Sequence, residues 1–149
     1  DIAGTQPWSY FRYAEILLSY ADAQNEAAGP DQSVYDAVNT IRRRTGVGMP
    51  ALPTGLSQAQ MRDAIRKERQ IELAFEEHRY YDVRRWKIAN VTENVPAYGM
   101  DVTRNGSTYT YTRKEALSGR RFEDKHYFLP IPRAEILASG GKLTQNAGY

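Results

Sequence analysis

The chain of 149 residues has no cysteine, only two histidines and only two tryptophans. Without cysteine there can be no disulfide, no thiolate metal ligand and no thiol nucleophile. Nowhere do about 18 apolar residues run together, so no segment is suited to crossing a membrane as a helix. An excess of one charge is also missing: 20 Lys and Arg face 18 Asp and Glu, for a net charge of +2. The pI near 8.8 rests on that small excess, whereas a nucleic-acid binder needs a basic face that neutralises many phosphates. No nucleic-acid partner is therefore expected. Gly46 and Gly48 lack the Lys-Ser/Thr that completes a phosphate loop, and no GxSxG elbow or HExxH metal motif occurs. His78 and Asp82 stand four residues apart, half a metal site at most, and His126 lies in an unrelated segment. The expectation is no metal and no cofactor, with hydrogen-bonded histidines. The first residues, DIAGTQPWSYF, show no start methionine, basic n-region or apolar h-region. They read as the middle of a longer chain.

What is present describes an ordinary globular protein, with 41% hydrophobic and 26% charged residues. Tyr13, Ile16, Leu17, Tyr20, Ala21, Gln24 and Ala28 recur at helical spacing, and Gly29-Pro30 stops them. A second helix follows from about Ser33, with Val34, Ala37, Val38 and Ile41 on one face and Arg42, Arg43 and Arg44 crowding its last turn. Two helices joined by a Gly-Pro turn form an αα-hairpin of the tetratricopeptide-like kind. Ser57 and Gln60 make a capping-box pattern for a third helix. Its stripe runs Met61, Ala64, Ile65, Glu68, Glu72, Phe75, Arg79, turning from apolar to ionic halfway along. Beyond Trp86 the helical pattern fades. Val95 to Met100 reads as irregular, and Val102 to Thr112 alternates around Asn105-Gly106, a strong hairpin signal. His126 to Pro132 reads as extended, Pro132 opens a short helix, and the tail from Lys142 to Tyr149 has no period.

The segment RKERQIELAFEEHRYYDVRRW, Arg66 to Trp86, carries six basic residues against five acidic ones. That balance favours pairing over a positive field. Glu68 and Glu72 fall one turn apart on one face, where two carboxylates repel unless cations lie between them. Arg69 and Arg79 are local candidates for those cations, and Arg42 to Arg44 are distant ones. The expectation is a partly buried ionic network that holds helices together. Used as acid and base of a hydrolase, Glu68, Glu72 and Glu76 would be surrounded by arginines that depress their pKa values, leaving no proton donor near neutrality. No catalytic residue is assigned. Trp86 is expected to be buried outright.

Aromatics outside the helices are the remaining functional signal. Trp8, Tyr10, Tyr98, Tyr109 and Tyr111 fall in loops or in the hairpin, among eleven tyrosines. Such rings can stack on the apolar faces of sugars, but for Tyr109 and Tyr111 cross-strand packing is the favoured reading. Trp8, Tyr98, Tyr109 and Tyr111 are the candidate ligand-binding residues.

Five motifs in order carry a resemblance: Phe11 to Ala23, Ile41 to Gly46, Arg66 to Trp86, Tyr127 to Ile136, and Leu143 to Tyr149. The series resembles the C-terminal half of the SusD/RagB family of Bacteroidetes outer-membrane proteins, over nearly the whole chain. Glu77 stands where that pattern often has glycine, and Ala147 where its ending is usually Asn-Pro-Gly-Tyr. The resemblance implies a mainly α fold: a tetratricopeptide-like helical hairpin, then a helix, a small β-hairpin and an irregular C-terminal portion. It implies residues 1–149 as a C-terminal segment without the family's N-terminal repeats or lipidated cysteine anchor. It also implies a surface-exposed outer-membrane lipoprotein that captures glycans, or in some members peptides, for a TonB-dependent SusC-like transporter. Such a protein touches the membrane only through its anchor and is not an enzyme. In that family Glu72, Arg79, Asp82, Arg85 and Trp86 look architectural, alongside Glu68 of the ionic stripe. The rival expectations are a helical-repeat module that binds only protein and, from a third class, a glycoside hydrolase fragment.

Overall fold

The computed structural model describes residues 10–149, in two compact units that divide between Arg79 and Tyr80. In the first unit, α1 (Tyr13–Ala28) is rich in alanine and leucine and ends where Gly29 takes a φ of 86°. Its amide donates to the Asn25 carbonyl, so the cap satisfies a helix-end acceptor that would otherwise be orphaned. Asp31 then caps α2 (Gln32–Arg42) by accepting from the Ser33 and Val34 amides. The Ser57–Gln60 capping box is present in full at the start of α3 (Gln58–Glu72).

These helices bury Leu18, Ala21, Val34, Val38, Met61 and Ile65 in one core, with α1 packed against both α2 and α3. The face of α1 that packs takes in only part of the periodic stripe, its Leu17 and Ala21. Ala14, Leu18, Ala21, Asp22 and Asn25 are buried, whereas Tyr13, Ile16 and Tyr20 are exposed. Small side chains allow α1 close approach to two neighbours at once, and the bulkier Tyr13, Ile16 and Tyr20 are left exposed. Two amides tie the helix ends together: Asn25 Nδ2 donates to the Gln58 carbonyl at 3.1 Å, and Gln58 Nε2 to the Asn25 carbonyl at 2.6 Å.

α3 stops at Glu72, earlier than the ionic stripe predicts. Phe75 and Glu77 take φ of 64° and 65° before α4 (His78–Arg85) begins, so Phe75 and Arg79 do not continue the α3 face. Phe75 is fully exposed.

In the second unit α4 leads to a one-turn α5 (Ala89–Thr92), then β1 (Ala97–Asn105) and β2 (Thr108–Leu117) pair antiparallel. β1 begins at Ala97, so most of the stretch that reads as irregular is strand, held by pairing with β2 rather than by its own alternation. Asn105 pairs with Thr108, which makes Gly106-Ser107 the loop. Gly106 supplies the positive φ, 64°, at the first loop position, as a type II′ turn requires. The turn signal is correct but sits one residue further along than an Asn-Gly centre. A 3-10 turn at Asp124–Tyr127 and α6 (Arg133–Ala138) complete the elements.

Val83, Ala89 and Phe122 are buried together, with Ile88 and Tyr127 against them. Trp86 is not among them: it is only half-buried, and the Arg85 guanidinium lies 4.5 Å over its ring. The expectation of outright burial fails because α4 ends just before it and Lys87 takes a φ of 52°, which turns the chain away. Polar clamps do much of the remaining work. Gln145 accepts from the Ile131 amide at 2.8 Å and donates to the Ile131 carbonyl at 2.9 Å, imitating a strand partner. Asn94 does the same for Phe122, and Asn146 and Tyr149 reach the carbonyls of Leu129 and Phe128. Among the described residues no helix is long and apolar enough to cross a membrane.

Candidate functional site

Two constellations stand out, one in each unit. The first is ionic. Glu72, the last residue of α3, accepts from Arg12 Nη1 at 2.7 Å and from Arg44 Nη1 at 2.7 Å. Arg12 also forks onto Glu76 through Nε and Nη2. One turn earlier Glu68 is buried and pairs with Arg42 Nη1 at 2.6 Å. Arg12 sits at the N-cap of α1 and Glu72 at the C-terminus of α3. Each charge is at the unfavourable end of its helix dipole, so their pairing is tertiary in origin and offsets a local cost.

Burial pushes the Glu72 carboxyl up, but hydrogen bonds from Arg44 and Arg12 outweigh it and hold it below the usual carboxylate range. The Glu76 bond, acting against burial and helped by Glu72, raises the Arg12 guanidinium further above its already high value. Glu72 therefore stays ionised near neutrality, unsuited to donating a proton.

The cations come from distant segments. Arg42 and Arg44 are among the expected cations; Arg12 is not, and no local spacing points to it. The local candidate Arg69 is buried and donates to Ser19 Oγ at 3.1 Å. Arg79 is half-buried in α4, outside the Glu68 and Glu72 pairs. Asp82 is buried and accepts from Arg85 Nε at 2.9 Å within α4. His78 Nε2 lies 3.6 Å from Glu15 Oε2, and His126 Nδ1 accepts from the Glu123 amide. Among the described residues no group of three or more His, Cys, Asp or Glu could hold a metal ion.

The second constellation is aromatic. Side chains alternate along a strand and directly paired residues share a face. The pairs Tyr98–Glu115, Met100–Arg113, Val102–Tyr111 and Arg104–Tyr109 thus place Tyr98, Tyr109 and Tyr111 on one face of the hairpin. The opposite face carries Asp101, Thr103, Thr110 and Thr112. Tyr98, Tyr109 and Tyr111 are 51%, 49% and 65% exposed, so the unit that holds them leaves about half of each available. Arg113 lies 3.8 Å over the Tyr98 ring and Arg104 5.7 Å over Tyr109. Two residues of strand separate Tyr109 from Tyr111 by about 7 Å. Three of the four candidate ligand residues therefore share one face, with Tyr98 about 13 Å along the strand from the position opposite Tyr111. Trp8 lies outside the described residues, and Tyr10, at the start of the first unit, is exposed.

A helical hairpin braced by a third helix and followed by a short β-hairpin defines a mainly α, tetratricopeptide-like protein. The chain belongs to the SusD family, whose family model matches residues 2–149. It is 32% identical over 143 residues to SusD-like protein P2 of Formosa agariphila, covering 93% of this chain and 25% of that protein. Among solved structures it is similar to a SusD homolog from Bacteroides thetaiotaomicron, at 33% identity and a TM-score of 0.71, over 95% of this chain and 27% of that one. It is likewise similar to BT4246, at 27% identity and a TM-score of 0.80, over 99% of this chain and 24% of that one. The chain thus spans about a quarter of the length of these relatives.

Proposed function

We propose that this chain belongs to a non-enzymatic glycan-capture protein and contributes to ligand retention through the tyrosine face of its β-hairpin. In this reading the protein is a surface lipoprotein of the outer membrane that passes its ligand to a SusC-like, TonB-dependent transporter. Family membership supports the class. The observation that carries the residue-level reading is the half-exposed Tyr98, Tyr109 and Tyr111 on one face, flanked by Arg104 and Arg113. Aromatic rings offer flat apolar area at low conformational cost while arginines take hydroxyls. Glu72, held ionised between Arg12 and Arg44, is no proton donor near neutrality, which favours binding over hydrolysis there.

Affinity electrophoresis through gels containing a panel of polysaccharides tests it. The protein should be retarded by at least one neutral polysaccharide, and a Tyr109→Ala/Tyr111→Ala variant should run markedly faster in that gel. Equal retardation of both would move the glycan site off the hairpin. A second reading, a helical module that binds only protein, draws on the exposed Tyr13, Ile16 and Tyr20 of α1. It predicts no retardation in any gel.

A further inference from the structure

The groove between the start of α1 and the end of α2 has no part in the tyrosine face. It encloses about 550 Å3, within the range of small-ligand sites. Ala14, Leu17 and Ile41 form an apolar floor, and Tyr13, Thr40 and Arg43 stand exposed around it. Arg12 and Arg44 also line it, but both are committed to Glu72. Arg43 makes no ion pair among the described residues, so three guanidinium charges meet the two carboxylates Glu72 and Glu76 and one remains over.

An uncommitted guanidinium at the rim of an apolar floor selects for a carboxylate, which its planar fork can hold through two parallel bonds. The exposed Tyr13, which lines the same groove, suits the C–H face of a sugar. Thr40 Oγ1 donates to the Asp36 carbonyl at 2.7 Å, which leaves its lone pairs to accept from a ligand hydroxyl. An acidic protein helix would need an apolar stripe several turns long in the groove, and the floor here is three side chains. We propose that the α1–α2 groove binds an acidic saccharide, with a uronate carboxylate on Arg43 and the sugar ring on Tyr13. This rests on the glycan-capture reading and gives it a second site with a charge preference.

The test compares trigalacturonic acid with its neutral methyl ester by calorimetry on the intact protein at low ionic strength. The acid should bind about tenfold tighter than the ester, the worth of one charge-assisted contact. Arg43→Gln, at an exposed position, should abolish that preference and lower the melting temperature by no more than a degree or two, the worth of one cation at a helix C-terminus. The Tyr109→Ala/Tyr111→Ala variant should keep it. Equal binding of acid and ester, with neutral polysaccharides still retained in gels, would discard the groove and leave capture standing. A preference that survives Arg43→Gln, or is lost in the tyrosine variant, would place the carboxylate elsewhere and overturn the proposal. Absence of any saccharide binding would discard capture and groove together. Arg43-dependent binding of poly-L-glutamate in place of the saccharide would make the groove a protein contact and overturn its ligand.

Discussion

The two units are stabilised by different means. Up to Arg79, three helices bury ten apolar residues in one cluster, and amide clamps such as Asn25 with Gln58 supplement it. From Tyr80 onward the fully apolar cluster is Val83, Ala89 and Phe122, and every residue of β2 is exposed. There the clamps replace packing, as Gln145 does for Ile131 and Asn94 for Phe122. Burial is non-directional and scales with area, whereas an amide clamp contributes little net free energy but fixes one geometry. The first unit is therefore the source of stability, and the second holds a shape that displays its aromatics.

The largest expected effect breaks the first unit. Leu18 is fully buried, and Leu18→Ala should cost about 3 kcal/mol, the transfer term plus a cavity. Urea denaturation followed by circular dichroism measures it, and a cost below about 1 kcal/mol would mean the core repacks freely. Next is the ionic brace. The Glu72 side chain is 13% exposed, but those of Arg12 and Arg44 are 32% and 47% exposed. Losing Glu72 leaves cations that can still reach water, so Glu72→Ala should cost about 2 kcal/mol, less than the 3–5 of a fully buried pair.

The pH dependence of that brace follows in sign. Its carboxyl is depressed in the folded state, so the contribution is fully present above the unfolded value of about 4.3 and lost as pH falls through the lower folded value. The gap in unfolding free energy between the protein and Glu72→Gln should thus be constant from pH 7 to about pH 5 and shrink below about pH 4. A gap that persists unchanged to pH 2 would assign the effect to packing.

The same contrast explains what was legible beforehand. Helix periodicity and caps report burial and local bonding, so α2, the Ser57–Gln60 box and the Gly29 stop were readable in advance. On α1 the pattern was half right, since Leu17 and Ala21 of the stripe meet the core while Tyr13, Ile16 and Tyr20 stay exposed: periodicity marks every apolar position and says nothing of which ones are covered. Arg12 escaped because its partners lie 60 and 64 residues away, beyond any local spacing. The clamps of Gln145 and Asn94 have no period at all, which is why the tail from Lys142 to Tyr149 read as structureless. The tyrosine face needed only the alternation of two strands, yet its exposure depends on what packs nearby, and no single segment encodes that.

The clamp that organises this tail sharpens the comparison from the other side. Gln145→Ala strips the half-buried Ile131 of both backbone partners and should cost about 1.5 kcal/mol. Hydrogen exchange at the Ile131 amide should accelerate at least as much as global stability falls. Unchanged protection there would show that water replaces the side chain without loss.

The smallest effect is a gain. Glu77 takes a φ of 65°, in the left-handed region, at the position where the family pattern often has glycine. An L-residue there bears roughly 1–2 kcal/mol of steric cost from its Cβ, and glycine bears none. Glycine also has more freedom to lose on folding, which offsets about 0.5–1 kcal/mol of the relief. Glu77 is exposed, and no ion pair involving it is found among the described residues. Glu77→Gly should accordingly stabilise the protein by about 0.5 kcal/mol, a rise of a degree or two in melting temperature. The neighbouring Phe75, at a φ of 64° and fully exposed, provides the control. If both turn positions are strained, Phe75→Gly should raise the melting temperature as well. Destabilisation by both substitutions would show instead that the turn between α3 and α4 depends on the restricted backbone of its residues, and that its left-handed positions are not a source of strain.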